Sequence, residues 1–209
     1  PYGLETNLVR KVDMLLLGER HLYSGFGLYF DPEGLLSTIP SVGTVIIGYL
    51  MGGMLHTTKN YDDCAKRMAI FGSAIVLIGW VWGYLFPINK ALWTSSYVLY
   101  TGGIAALVLS VLTYLIDIKK WKNAFWVFEV FGTNSIFLFI LSGVWTKTII
   151  NIERNLNGTT VNAYHYLYKT IFVPIGGDIN GSLLFALSHV MGFWLILLRM
   201  YKKEIQIKL

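Results

Sequence analysis

Long apolar stretches, not alternating ones, organise this chain. Five runs carry almost no charge: Gly34–Thr58 (25 residues), Met68–Asn89 (22), Ala91–Ile116 (26), Asn123–Thr146 (24, interrupted by Glu129) and Ile179–Leu198 (20). A helix of ~20 apolar residues crosses the hydrocarbon layer of a bilayer. Continuous apolarity without a two-residue period selects helices over barrel strands. The pattern predicts an all-α polytopic membrane protein with five spans, near 36–55, 68–86, 96–116, 124–146 and 183–199. Segments 1–35, 87–95 and 147–182 then share the outer side. Leu8, Val12, Leu15 and Leu16 fall on one helical face, with Arg10, Lys11 and Asp13 away from it. Tyr164, Tyr168 and Phe172 recur at every fourth position. Both patterns predict helices lying in the membrane interface.

Charge orients these spans. Ten of the 17 cations fall in segments 56–67, 117–123 and 199–209: Lys59, Lys66, Arg67, Lys119, Lys120, Lys122, Arg199, Lys202, Lys203 and Lys208. The positive-inside rule puts these segments and the C-terminus in the cytoplasm, and Pro1 outside. Trp80, Trp82, Trp93, Trp121, Trp126 and Trp145 lie near predicted span ends, as interfacial aromatics do.

Composition agrees. Of 209 residues, 55% are hydrophobic and 14% charged, against about 25% charged in a soluble domain. That excludes a soluble globular domain and a disordered chain. The net charge of +5 is absorbed by topology, so no nucleic-acid partner is expected. A single cysteine, Cys64, excludes an intrachain disulfide and a thiolate zinc site. His21, His56, His165 and His189 lack metal-ligand spacing, and no metal is expected. No P-loop, nucleophile elbow or dinucleotide fingerprint is present.

Polar residues at span mouths and inside spans are the candidates for chemistry. Asp31-Pro32-Glu33-Gly34 stands before the first span, where acids also complement a helix dipole. The turn Pro87–Ser96 between the second and third spans holds Asn89, Lys90, Trp93 and Ser95, with Thr94 or Ser95 as its helix cap. Topology puts both clusters on the outer face, where a cation, two anions and an indole suit a polar, sugar-like ligand. Glu129 and Asn134 interrupt the fourth span and His189 the last; interhelical hydrogen bonding explains such residues equally well. Gly48, Gly52 and Gly53 predict a close helix contact. Asn157-Gly-Thr and Asn180-Gly-Ser are formal glycosylation sequons.

Asp31-Pro-Glu-Gly-Leu-Leu-Ser-Thr-Ile-Pro40 and Pro87-Ile-Asn-Lys-Ala-Leu-Trp-Thr-Ser-Ser-Tyr97 resemble blocks of the heparan-α-glucosaminide N-acetyltransferase family. Asn134-Ser-Ile-Phe137 and the basic tail from Tyr201 are weaker blocks in the same order. Gly18–Tyr23 looks like the bacterial branch, also labelled an N-acetylglucosamine-related transporter. The resemblance implies transfer of an acetyl group from cytoplasmic acetyl-CoA to an amino sugar across a bacterial inner membrane. It covers the family's downstream part only. The N-terminal half, which holds the family's catalysis-associated histidine, is missing, and none of the four histidines here sits in such a motif.

On chemical grounds Asp31 or Glu33 could orient a sugar amine or hydroxyls or act as general base toward an ammonium. Asn89 and Lys90 could position acyl or sugar oxygens, and Trp93 could stack on the ring. Ser95 completes the polar mouth, and Asn134 lines the passage between the two faces. Lys119, Lys120 and Lys122 can attract CoA phosphates besides setting topology. The partners expected are membrane lipid, the amino-sugar substrate, the missing N-terminal half and, as an open alternative, a second copy of the chain. A sugar transporter and a non-catalytic membrane scaffold remain alternative readings.

Overall fold

The computed structural model describes residues 2–25, 27–156 and 158–207. Pro1, Lys208 and Asn157 of the first sequon lie outside the described residues. The chain is an all-α polytopic membrane protein. Leu35–Thr57, Tyr61–Trp82, Ser95–Ile118 and Ala163–Lys202 are each long and apolar enough to cross a membrane. Lys122–Gly132 and Ser135–Asn151, bent by 58°, make a fifth crossing if taken as one broken span. The chain divides into two compact units, residues 1–121 and 122–209.

The first unit contains α1 (Leu8–Leu17), α2 (Leu35–Thr57), α3 (Tyr61–Trp82) and α4 (Ser95–Thr113). Helix α3 starts on the Asn60 side chain, which accepts from the Asp62 N–H at 3.0 Å. Helix α4 starts on Thr94, as its hydroxyl chemistry predicts. Glycines bring α3 and α4 together. A Cβ on Gly103 would lie 2.7 Å from the Val76 nitrogen, and one on Gly79 would lie 2.5 Å from the Tyr100 nitrogen. Ser110 donates to the Ala65 carbonyl across the same contact at 2.6 Å. Met51, Cys64, Met68 and Ala106 form the adjoining core.

The predicted glycine contact lies elsewhere. Among the described residues, no atom from outside α2's own backbone and the flanking residues comes within 4 Å of a Cβ placed on Gly48, Gly52 or Gly53. A G-x-x-x-G pattern marks a flat helix face, and tertiary packing decides whether a neighbour occupies it.

Helix α1 keeps its predicted amphipathic split, with Lys11 exposed, but one residue of its polar side, Asp13, turns inward. Leu8, Leu15 and Leu16 are exposed, as lipid-facing residues would be, while Asp13 is buried against the protein. Its carboxylate accepts from the Leu36 N–H at 3.1 Å and so caps α2 from 23 residues upstream. The predicted capping acids do less: Asp31 only accepts from the Glu33 N–H within its own turn, at 2.9 Å.

The second unit contains α5 (Lys122–Gly132), α6 (Ser135–Asn151), the hairpin β1 (Glu153–Leu156) and β2 (Thr159–Asn162), α7 (Ala163–Leu167) and α8 (Val173–Lys202). The predicted fourth span is therefore broken between Gly132 and Ser135. Its break has a partner. The buried Asn134 amide donates to the Ile205 carbonyl at 3.0 Å and accepts from the Ile207 N–H at 2.9 Å. Asn134 itself leaves the helical region, with φ −135° and ψ 41°, two residues after Gly132.

Tyr164, Tyr168 and Phe172 lie on helical backbone, as their spacing predicts. All three rings pack on Phe185 of α8, at centroid distances of 4.7, 6.0 and 5.0 Å. Helix α8 is itself interrupted at Gly177, whose φ of 72° lies outside the helical region. Asn180, of the second sequon, lies within α8.

Candidate functional site

The first unit carries a polar cavity of about 210 Å³ at the mouth of α2, lined by Pro32, Glu33, Ser37, Thr38, Ser41 and Trp93. Two distant sequence blocks build it. The α2 block supplies the acid and the hydroxyls; the turn before α4 supplies the indole. Glu33 is exposed at the rim.

The hydroxyls have already spent their hydrogens. Ser37 and Thr38 both donate to the Gly34 carbonyl, at 2.9 and 3.1 Å, and Ser41 donates to the Thr38 carbonyl at 2.7 Å. Each hydroxyl has one hydrogen and two lone pairs. What these three offer a ligand is therefore acceptor capacity, and the Glu33 carboxylate adds more. The cavity wall is suited to a ligand rich in donors.

Thr94 organises the opposite wall. Its buried hydroxyl donates to the Pro87 carbonyl at 2.9 Å and accepts from the Asn89 and Tyr97 N–H groups at 3.0 and 3.3 Å. The tight turn that results puts Trp93 at φ 49°, a left-handed conformation rare for a bulky residue. The indole is then fixed: its Nε1 donates to the Thr44 hydroxyl at 3.2 Å, and Tyr97 meets its ring edge-on at 5.3 Å. Strained residues of this kind persist only where the surroundings over-determine them.

Of the sequence candidates, Glu33 and Trp93 meet in this cavity. Asp31 precedes it, with one carboxylate oxygen committed to its own turn. Asn89 spends its side-chain oxygen on the Leu92 N–H at 3.2 Å. Lys90 is exposed in the same turn and makes no ion pair among the described residues. The Ser95 hydroxyl accepts from the Trp82 indole at 3.0 Å. Asn134 belongs to the second unit, where its amide holds the tail.

Sequence reading missed Ser37, Thr38, Ser41 and Thr44 as a set. Their spacing of three or four along a helix was the available signal. It missed Asp13 altogether, because nothing local links residues 13 and 36.

Glu129 and His189, the ionisable candidates within predicted spans, have packing partners. Glu129 accepts from the Tyr201 hydroxyl at 3.1 Å. His189 pairs its Nδ1 with the Phe185 carbonyl at 2.9 Å and borders an apolar cavity of about 360 Å³ with Trp145 and Phe193.

No model of a known protein family matches the chain. The mouse heparan-alpha-glucosaminide N-acetyltransferase is 33% identical over 146 residues, covering 62% of this chain and 22% of the mouse protein. The human heparan-alpha-glucosaminide N-acetyltransferase is 31% identical over the same length, with the same coverage. The chain thus spans only 22% of the length of these curated relatives, and its likeness is to that portion of them.

Proposed function

We propose that this chain is the C-terminal part of an integral-membrane acyltransferase that moves an acetyl group from acetyl-CoA to an amino sugar across the membrane. The acceptor-only cavity carries the reading. An amino sugar presents an ammonium and several hydroxyl donors, which complement a carboxylate and three hydroxyl oxygens. Its ring presents apolar C–H faces, which suit the fixed Trp93 indole. The similarity to the two acetyltransferases supports the same reaction class. So does the place of Glu33 and Trp93 in the two blocks that resemble that family.

In this scheme the Glu33 carboxylate takes a proton from the sugar ammonium and leaves a free amine. The nitrogen then attacks the thioester carbonyl; its C–N bond forms as the C–S bond breaks. The departing thiolate takes up the second nitrogen proton and leaves as free CoA. Ser37, Thr38 and Ser41 hold the sugar hydroxyls, and Trp93 keeps the ring in place. Lys90, exposed in the turn before α4, would offer its ammonium to acyl or sugar oxygens. The acceptor side faces outward and the basic segments face the cytoplasm, across a bacterial inner membrane. The N-terminal half of the same protein is the expected partner on the donor side.

The test uses purified full-length protein in liposomes, with labelled acetyl-CoA and glucosamine. N-acetylated sugar is the expected product. Glu33→Gln keeps the shape and removes the charge. A charge-assisted hydrogen bond contributes about 1.5–3 kcal/mol, so kcat/KM for glucosamine should fall roughly tenfold to a hundredfold. Uptake of N-acetylglucosamine into CoA-free vesicles, without acetylation by folded protein, would favour transport and end the enzyme reading.

A further inference from the structure

A second cavity borders the same indole. It has a volume of about 410 Å³, and its walls include Tyr2, Leu8, Leu36, Ile39, Phe86 and Leu92 as well as Trp93. The polar groups in it are occupied. The Asn7 amide donates to the Gly3 and Leu4 carbonyls and accepts from the Arg10 N–H, all within 2.9 Å. The Thr94 hydroxyl serves the turn, as described above. Leu8 and Ile39 are exposed on their elements, so the apolar walls continue to the lipid-facing surface.

Helix α2 divides the two cavities by residue. Ser37, Thr38 and Ser41 line the polar one; Leu36, Ile39 and Pro40 line the apolar one. Trp93, in its strained conformation, is the wall common to both. A free monosaccharide would fill the first and leave the second empty. A volume of this size lies within the ~300–1,000 Å³ range of small-molecule sites.

On these grounds we infer that the natural acceptor is an amphiphile: an amino sugar carrying an apolar chain, with the sugar in the polar cavity and the start of the chain in the apolar one. This rests on the acyltransferase reading and narrows its substrate class to membrane glycolipids. Such an acceptor would be held at the bilayer surface before transfer, with its chain entering between α1 and α2.

The test measures acetylation of glucosamine and of its ethyl, butyl, hexyl and octyl glycosides, each below its micelle-forming concentration. In wild-type protein in liposomes, kcat/KM should rise roughly threefold to fourfold per added methylene until the cavity is full, then level off. Ile39→Trp, which narrows the apolar cavity, should flatten that series and lower the octyl-to-glucosamine ratio at least tenfold. Equal kcat/KM for glucosamine and its octyl glycoside overturns this inference and leaves the acyltransferase reading intact. An undiminished rise in Ile39→Trp also overturns it, since the chain would then act by partitioning into the bilayer. No product from any acceptor, with folded protein, overturns the reading beneath it.

Discussion

Gly103→Leu is expected to separate α3 from α4 and prevent recovery of folded protein. The site has no room for a side chain. A Cβ there would stand 2.7 Å from the Val76 nitrogen, 2.8 Å from the Gly72 carbonyl oxygen and 2.6 Å from a Val76 methyl. Two of those neighbours are backbone, which cannot rotate aside. Overpacking typically costs about 1–3 kcal/mol even where side chains can yield. Here the helices themselves must part, and the Ser110 bond to the Ala65 carbonyl would go with them. Gly52→Leu is the control, since open space surrounds its Cβ position. Size-exclusion profiles and melting in detergent should show aggregation or a large loss of Tm for the first variant and a near-native profile for the second. Equal behaviour of the two would show that the glycine contact does not hold this unit together.

Gly34→Ala should cost nearly as much for a different reason. The backbone there is extended, with φ −66° and ψ 176°, so alanine suffers no conformational strain. The obstacle is the Asp13 carboxylate, which a methyl group on Gly34 would overlap directly. Asp13 would have to leave the α2 N-terminus. Loss of a helix cap alone costs about 1 kcal/mol. Asp13 is also 1% exposed, and its Oδ2 has no hydrogen-bond partner among the described residues. Leaving the Leu36 N–H without this acceptor raises the cost towards about 1–3 kcal/mol.

The polar cavity begins one residue before Gly34, so sugar binding should weaken together with stability. Asp13→Ala alone should lose only the cap. Combined with Gly34→Ala it should be more stable than Gly34→Ala by itself. Thermal melts of the three variants give the coupling. If the effects simply add, the steric account of Gly34 fails.

These two cases show what could be read from the chain alone. The five charge-free runs located the apolar helices, because a bilayer leaves little freedom in how an apolar stretch of that length is used. Thr94 was legible as a cap because capping is local chemistry. The Asp13 cap was not, since it depends on a contact between α1 and α2 that no spacing encodes. Gly48 and Gly52 match the packing motif, yet Gly72, Gly79 and Gly103 make the contact. Composition reports which faces are flat, and only the fold decides which of them are used.

The candidate site divides in the same way. Glu33 and Trp93 were visible as residues that exceed the needs of a plain turn, and the fold brings them into one cavity. Asn89 and Ser95 were equally visible, but the turn itself engages Asn89 and the Trp82 indole of α3 engages Ser95. The hydroxyl set on α2 was hidden because serines and threonines three or four apart in an apolar helix are ordinary packing residues. Only the shared orientation of Ser37, Thr38 and Ser41, with each hydrogen bound to backbone, distinguishes them. The break at Asn134 was hidden because it is fixed by the Ile205–Ile207 backbone, far along the chain.

Cys64 has a practical consequence. It is the chain's single cysteine, has no exposed surface, and lies with its sulfur 3.5 Å from the Met54 carbonyl oxygen. A sealed thiol does not react with water-soluble maleimides, so Cys64 adds no background to labelling of this chain. Cysteines introduced one at a time at Lys90, Lys120 and Lys203 would then report, by their reaction with an impermeant reagent on intact cells, which side of the membrane each turn occupies.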